Sequence, residues 1–225
     1  MMIGWDFRYW IMIAPALLLA LWAQWRIRSA YAAAQQQPAP LSGAAAARHI
    51  LDSAGLGDVI IEPTPGHLSD HYDSSAKVLR LSQEVYQSRS LAAVGIAAHE
   101  AGHALQDAQG YTPLMVRNFA VPVANFGSNV GILLFILGTI VTSWTFLQVV
   151  GVLLFSAVVF FQMINLPVEF NASSRAKAQL VNLGIVPQQD MVYVNKVLGA
   201  AALTYVAATL QAVLTLLYLI SRSRD

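Results

Sequence analysis

The sequence contains no cysteine, so neither a disulfide framework nor a thiolate-held metal is open to it. Charge is scarce as well: 11% of the 225 residues are Asp, Glu, Lys or Arg, where soluble domains carry about 25%. A formal net charge of +1 supplies no basic face, which argues against nucleic acid as a partner. Histidine is absent after His103, and the only glutamates are Glu62, Glu84, Glu100 and Glu169. Any metal must therefore be held by His, Asp or Glu, and a ligand from beyond His103 must be a carboxylate.

What the chain has in abundance is apolar surface: 56% of its residues are hydrophobic and its mean hydropathy is +0.54. No charged residue lies between Arg117 and Glu169. A membrane helix needs about 20 apolar residues, so this stretch predicts two spans, near 119–141 and 146–166. Thr142-Ser143-Trp144-Thr145 is the expected turn, with Trp144 suited to a membrane interface. An uncharged run over 197–221 predicts a last span. Residues 9–25, with Trp10, Trp22 and Trp25 towards their ends, predict a first one, and membrane helices tolerate a proline such as Pro15. The small residues Ala32-Ala33-Ala34 also fit a signal-peptide cleavage site, but Asp6, Arg26 and Arg28 flank the segment as they would a retained anchor. Of the 13 Lys and Arg, all but Arg8, Arg222 and Arg224 fall on one side of this topology. The positive-inside bias puts that side, and the larger polar segments, in the cytoplasm.

Within the polar segments, Gln35-Gln36-Gln37-Pro38-Ala39-Pro40 reads as a linker, and Ser42 as the cap of a helix ending near Ala54. Val59-Ile60-Ile61 predicts a short strand broken by Pro63, Pro65 and Gly66. Lys77-Val78-Leu79-Arg80-Leu81 mixes polar and apolar positions as an edge strand would, and such an edge could pair with an extended substrate. Ser88 or Ser90 caps a helix through about Ala108, stopped by Gly110 and Pro113. The expected fold is mainly α: a multi-pass membrane protein of about four transmembrane helices, with a polar segment containing a short β ribbon. Its expected division is a first span with its tail (1–25), a polar segment (26–118), two spans (119–166), a second polar segment (167–199), and a last span with its tail (200–225).

Chemistry concentrates at His99-Glu100-Ala101-Gly102-His103. Residues four apart share one face of a helix, so His99 and His103 can reach one ion, with Glu100 beside them as general base. Imidazole and carboxylate donors suit zinc, with a fourth position left for water. Three ionisable groups in an otherwise apolar helix would be costly without a metal. A metzincin needs Gly at 106 and His at 109, but Gln106 and Gln109 stand there, which excludes that class. Beyond Asp107 the available carboxylates are Glu169, Asp190 and Asp225. Asp225 falls on the wrong side of the membrane and Asp190 sits in a Pro187-Gln188-Gln189 loop. Glu169 follows the third span on the side of the histidines, just after Pro167, which is expected to start a helix; it is the chosen third ligand.

Four ordered motifs carry a resemblance: Leu68-Ser69-Asp70-His71-Tyr72-Asp73, Leu79-Arg80-Leu81-Ser82, Ala97 to Gln106 around the histidines, and Leu166-Pro167-Val168-Glu169-Phe170-Asn171-Ala172-Ser173. Together they resemble the bacterial YugP-like membrane zinc metallopeptidases over nearly the whole chain, and more distantly the HtpX and CAAX-prenyl-protease group of membrane gluzincins. The resemblance implies His99, His103 and Glu169 as ligands of one zinc ion and Glu100 as catalytic base. Two positions depart from the pattern. Ser173 stands where the broader gluzincins place an aspartate that orients a ligand imidazole, and Asn171 where YugP-like sequences have Asp. Ser173 is four residues from Glu169, so its hydroxyl could still serve that purpose.

Other polar residues carry two readings each. His71 with Asp70 and Asp73 reads as a solvated turn before a strand, or as a group beside the active site. Arg117 and Arg175 read as headgroup contacts at membrane ends, or as stabilisers of the oxyanion. His49 and His67 read as surface residues. The expected activity is zinc-dependent endopeptidase hydrolysis by water activated at the metal, on protein or peptide substrates in or beside the lipid bilayer. The competing expectations are a site-2-type intramembrane protease and a non-catalytic membrane scaffold with a structural metal.

Overall fold

A computed structural model describes residues 7–141 and 144–224. In chain order the elements are α1 (Phe7–Gln35), α2 (Gly43–Ser53), β1 (Ile60–Thr64), β2 (His71–Asp73), β3 (Val78–Ser82), α3 (Gln83–Gln87), α4 (Leu91–Ala108), α5 (Thr112–Ile140), α6 (Phe146–Asn182) and α7 (Met191–Arg222). The chain is mainly helical with one small sheet, as its composition and patterning led us to expect. Four helices, α1, α5, α6 and α7, are long and apolar enough to cross a membrane. All four extend past the apolar runs that announce them, because helical propensity continues into the polar flanks after hydropathy has fallen.

Two corrections concern proline. Pro167 does not start a helix; it lies inside α6, which continues to Asn182. Proline removes one backbone donor from the ladder, a loss that long membrane helices accommodate. Pro113 does not stop α4 but stands in the first turn of α5, where its missing N–H has no partner to lose. Gly110, in the left-handed region at φ 62°, makes the turn between the two helices. Of the predicted turn between α5 and α6, Thr142 and Ser143 lie outside the described residues.

The chain divides into two compact units. One takes in α1 up to Ala23, Met115–Pro167, and α7 from Leu203 onward. Its core is small, built on Phe135, Phe155, Val159 and Leu219, while Phe119, Leu133, Leu153 and Phe160 are exposed. Large apolar side chains turned outward suit lipid as the solvent. Inside this unit α5 and α6 approach through glycine. A Cβ on Gly127 would stand 2.3 Å from the Leu154 carbonyl oxygen, and one on Gly151 2.5 Å from that of Gly131. Gly127 and Gly131 form a small-xxx-small pair, the spacing that lets membrane helices pack backbone to backbone.

The other unit comprises Gln24–Leu114 and Val168–Ala202. Its core joins Ile50 and Leu51 of α2, Leu79 and Leu81 of β3, Val94 and Ala98 of α4, and Leu180 of α6. Ser42 caps α2 by accepting from the Ala45 N–H, and Ser90 caps α4 by accepting from the Ala93 N–H. The sheet has the order β1-β3-β2, with β1 parallel and β2 antiparallel to β3. Residues 78–82 are thus the central strand, not an edge, and cannot take an extended substrate. Arg80 gives that strand its edge-like appearance, yet it is held from both sides, donating from Nε to Glu62 (2.7 Å) and from Nη1 to Asp73 (2.9 Å). Pro63 belongs to β1, where an outer strand can spare a donor. His71 and Asp73 lie in a strand, not in the expected turn, and Asp70 just before them accepts from the Ser82 N–H and hydroxyl.

Ser90 is buried and serves the helix that carries both histidines. Loss of such a cap costs roughly 1 kcal/mol, so Ser90→Ala is expected to lower the melting temperature of the purified protein in detergent by about 2–4 °C. A thermal melt followed by circular dichroism checks this, and an unchanged midpoint would refute the cap's contribution.

Candidate metal centre

The two histidines lie one turn apart on α4, a helix most of whose residues are buried. Apart from Glu100, alanine and glycine fill the positions between and immediately around them, which lets another helix come close. A Cβ on Gly102 would stand 2.5 Å from the Ala172 carbonyl oxygen of α6. No side chain fits there. This contact sets α6 directly against the histidine face, and Glu169, one turn before Ala172, arrives beside both rings.

The imidazoles meet edge to face, with centroids 4.8 Å apart. Glu169 Oε2 lies 3.2 Å from His99 Nε2 and 3.7 Å from His103 Nε2. One donor atom from each of the three residues lies within 4.8 Å of the other two. Zinc binds nitrogen and oxygen at about 2.0–2.1 Å, which separates tetrahedral ligands by about 3.3 Å. The two distances to Glu169 straddle that value, so the donor set suits a zinc ion in type and number and lies close to its spacing. Glu169 and His103 are both buried, at 3% and 7% exposure. Burial alone would pull the His103 pKa down. The carboxylates of Glu169 and Glu100 and the Gln106 oxygen outweigh it and hold it above its ordinary value, so this position favours positive charge. Glu100 is buried on the same helix.

Each imidazole has its other nitrogen occupied. Ser173 Oγ lies 3.1 Å from His99 Nδ1, and Gln106 Oε1 lies 2.9 Å from His103 Nδ1. The Ser173 hydroxyl thus lies against the His99 ring. In the sequence Gln106 enters only as a residue that excludes metzincins. Its position, one turn after His103 on the same helix face, was the available signal. Gln106 Nε2 donates to the Val168 carbonyl (2.8 Å) and to Asn171 Oδ1 (3.0 Å). Arg175 donates from Nε to the same Asn171 oxygen (2.6 Å), donates to Gln109, and lies over the Tyr111 ring.

Other candidates lie outside the cluster. His71 is exposed on β2, its Nδ1 2.8 Å from the Ser69 carbonyl. Asp190 precedes α7, its N–H bonded to the Pro187 carbonyl. Arg117 donates to Asn165 and Asn118. His67 is exposed and pairs with Glu84.

A family model described as "Putative neutral zinc metallopeptidase" matches residues 9–224. The chain belongs to this family. It is 48% identical over 204 residues, covering 90% of each chain, to a Bacillus subtilis (strain 168) protein named "Putative membrane protease YugP". No solved structure matches the chain. Membership in a zinc metallopeptidase family accords with a donor set free of sulfur and gathered on two helices. With four helices among the described residues long and apolar enough to cross a membrane, the chain is a multi-pass membrane member of that family.

Gly102→Ala tests the contact on which the cluster rests. Its methyl group must push the backbone at Ala172 away and carry Glu169 from the histidines. Zinc binding is expected to weaken by about tenfold or more, the scale seen when the support of a ligand is lost. Metal analysis after dialysis against a chelator reads the outcome. Parent-like zinc retention would mean that α6 does not need the close approach.

Proposed function

We propose that this chain is a membrane-anchored zinc endopeptidase, with His99, His103 and Glu169 holding one zinc ion and Glu100 serving as general base. The observation that carries the reading is the convergence of two histidine Nε2 atoms and one buried carboxylate on a common point, with Glu100 on the same helix. A zinc ion there would polarise the scissile carbonyl and lower the pKa of water to about 7. Glu100 takes the proton from the attacking water as the new C–O bond forms. It then delivers that proton to the amine as the C–N bond breaks, with no acyl-enzyme on the path. His99 and His103 stay neutral donors throughout, their Nδ1 atoms engaged by Ser173 and Gln106.

Two observations favour this over the alternatives. α4 is not among the four helices long and apolar enough to cross a membrane, and it packs within the unit that holds the sheet, which disfavours an intramembrane site. A closed structural site has no use for a buried glutamate beside its ligands, and Glu100 is such a group. The excess of Lys and Arg in the polar segments supports a cytoplasmic site, with proteins or peptides at the bilayer as substrates.

Glu100→Gln is expected to keep zinc and to lose about 10²–10⁴-fold in cleavage of a fluorescent casein, the usual contribution of general acid–base catalysis. Glu169→Ala is expected to lose zinc as well as cleavage. If Glu100→Gln cleaves at the parent rate, Glu100 is not the base; if Glu169→Ala retains zinc fully, Glu169 is not a ligand.

Sidedness has a direct test, because the chain has no native thiol. Ser53→Cys, at an exposed position, should react with a membrane-impermeant maleimide in inverted vesicles and not in intact cells. Labelling in intact cells would place the polar segment outside.

A further inference from the structure

We infer that Arg175, Asn171 and Gln106 form a directional hydrogen-bond chain that fixes the tautomer of His103 and leaves its Nε2 lone pair for the metal position it shares with Glu169. The inference rests on the metal-site reading above and deepens it. The argument starts from Arg175, whose guanidinium can only donate. It donates from Nε at 2.6 Å, so the Asn171 amide must present its oxygen there. That oxygen also receives Gln106 Nε2 at 3.0 Å. The Val168 carbonyl, an obligatory acceptor, receives the same Gln106 nitrogen at 2.8 Å. With its NH₂ group held by two acceptors, Gln106 can only turn its oxygen to His103 Nδ1, 2.9 Å away.

An oxygen facing that ring nitrogen requires a proton on it. Neutral imidazole carries one proton, so Nε2 is left with the lone pair a metal needs. Gln106 has no exposed surface, so water cannot take over the acceptor's place. His99 lacks such a device: its Nδ1 meets the Ser173 hydroxyl, which can donate or accept. Arg175 is thereby a positioning residue acting through two amides, and not the headgroup contact or oxyanion stabiliser its sequence position suggests.

The test measures zinc affinity of the full-length protein in detergent by chelator competition, for the parent, Gln106→Leu and Gln106→Glu. Leu removes both arms of the amide. Glu keeps the acceptor for His103 and removes the donor that ties α4 to α6. Gln106→Leu is expected to bind zinc about 10–100-fold more weakly, and Gln106→Glu to recover at least about tenfold of that loss. Equal weakening in both variants would make Gln106 a brace between helices and overturn the inference. Parent affinity in Gln106→Leu would overturn it too. A parent that takes up no zinc would instead remove the metal reading itself. One measurement needs no variant: in the metal-free parent, at a pH alkaline enough for the imidazole to be neutral, ¹⁵N shifts of His103 should report a protonated Nδ1 and a bare Nε2. The reverse assignment would overturn the chain.

Discussion

Between Gly102 of α4 and Ala172 of α6 there is no room for a Cβ atom, and the clustering of His99, His103 and Glu169 is a consequence of that closeness. Glu169 is a short side chain. It reaches both imidazoles because the two backbones touch. The glycine inside the histidine motif is therefore a structural requirement of the pair of helices, distinct from the chemistry of the residues on either side of it. The same logic recurs in the unit built from the long apolar helices, where Gly127 and Gly151 bring α5 and α6 together. There the contact joins apolar helices and leaves large hydrophobic side chains facing outward. In the first case close packing builds a site, in the second a span.

Bringing two histidines and two glutamates into an alanine-lined interior carries a desolvation cost that apolar packing does not offset. The protein meets it locally. Each histidine has a polar partner on Nδ1, Glu169 faces both Nε2 atoms, and Gln106 closes on a carbonyl and an amide. The remaining appetite for positive charge is visible at His103, whose neighbours overcome the effect of its burial. A proton and a divalent metal compete for that same electrostatic demand. Metal binding at such a site is consequently coupled to pH, because the metal must displace protons from its ligands.

Much of this was legible in the chain because it follows from one-dimensional patterns. The spacing of His99 and His103, the absence of later histidines and the placement of Glu169 after a long uncharged run left few choices for the donor set. Apolar runs located the four long helices, and Ser42 and Ser90 marked helix starts. What escaped depends on partners distant in sequence. Arg80 looked like a residue at a sheet edge because its two acids, Glu62 and Asp73, sit on different strands. Pro167 looked like a boundary because a proline says nothing about whether the helix around it has other reasons to continue. Gln106 looked like a missing metzincin glycine, since only the fold shows it against His103 and Val168.

The two departures, at Ser173 and Asn171, make sense together once charge is counted. A divalent ion held by Glu169, with Glu100 beside it, would already be balanced by two negative charges. An aspartate at Ser173 would add a third to the same buried interior, where unpaired charge is most costly. A hydroxyl supports the His99 ring without that addition. At Asn171 the acceptor oxygen is what the geometry uses, since both of its partners, Arg175 and Gln106, are donors. A carboxylate would offer the same oxygen but draw Arg175 into an ion pair and strengthen its hold. The neutral amide keeps the direction of the hydrogen-bond chain while leaving the charge near the metal to Glu169 and Glu100. Support for the ligands is thus separated from neutralisation of the metal, and each task falls to different residues.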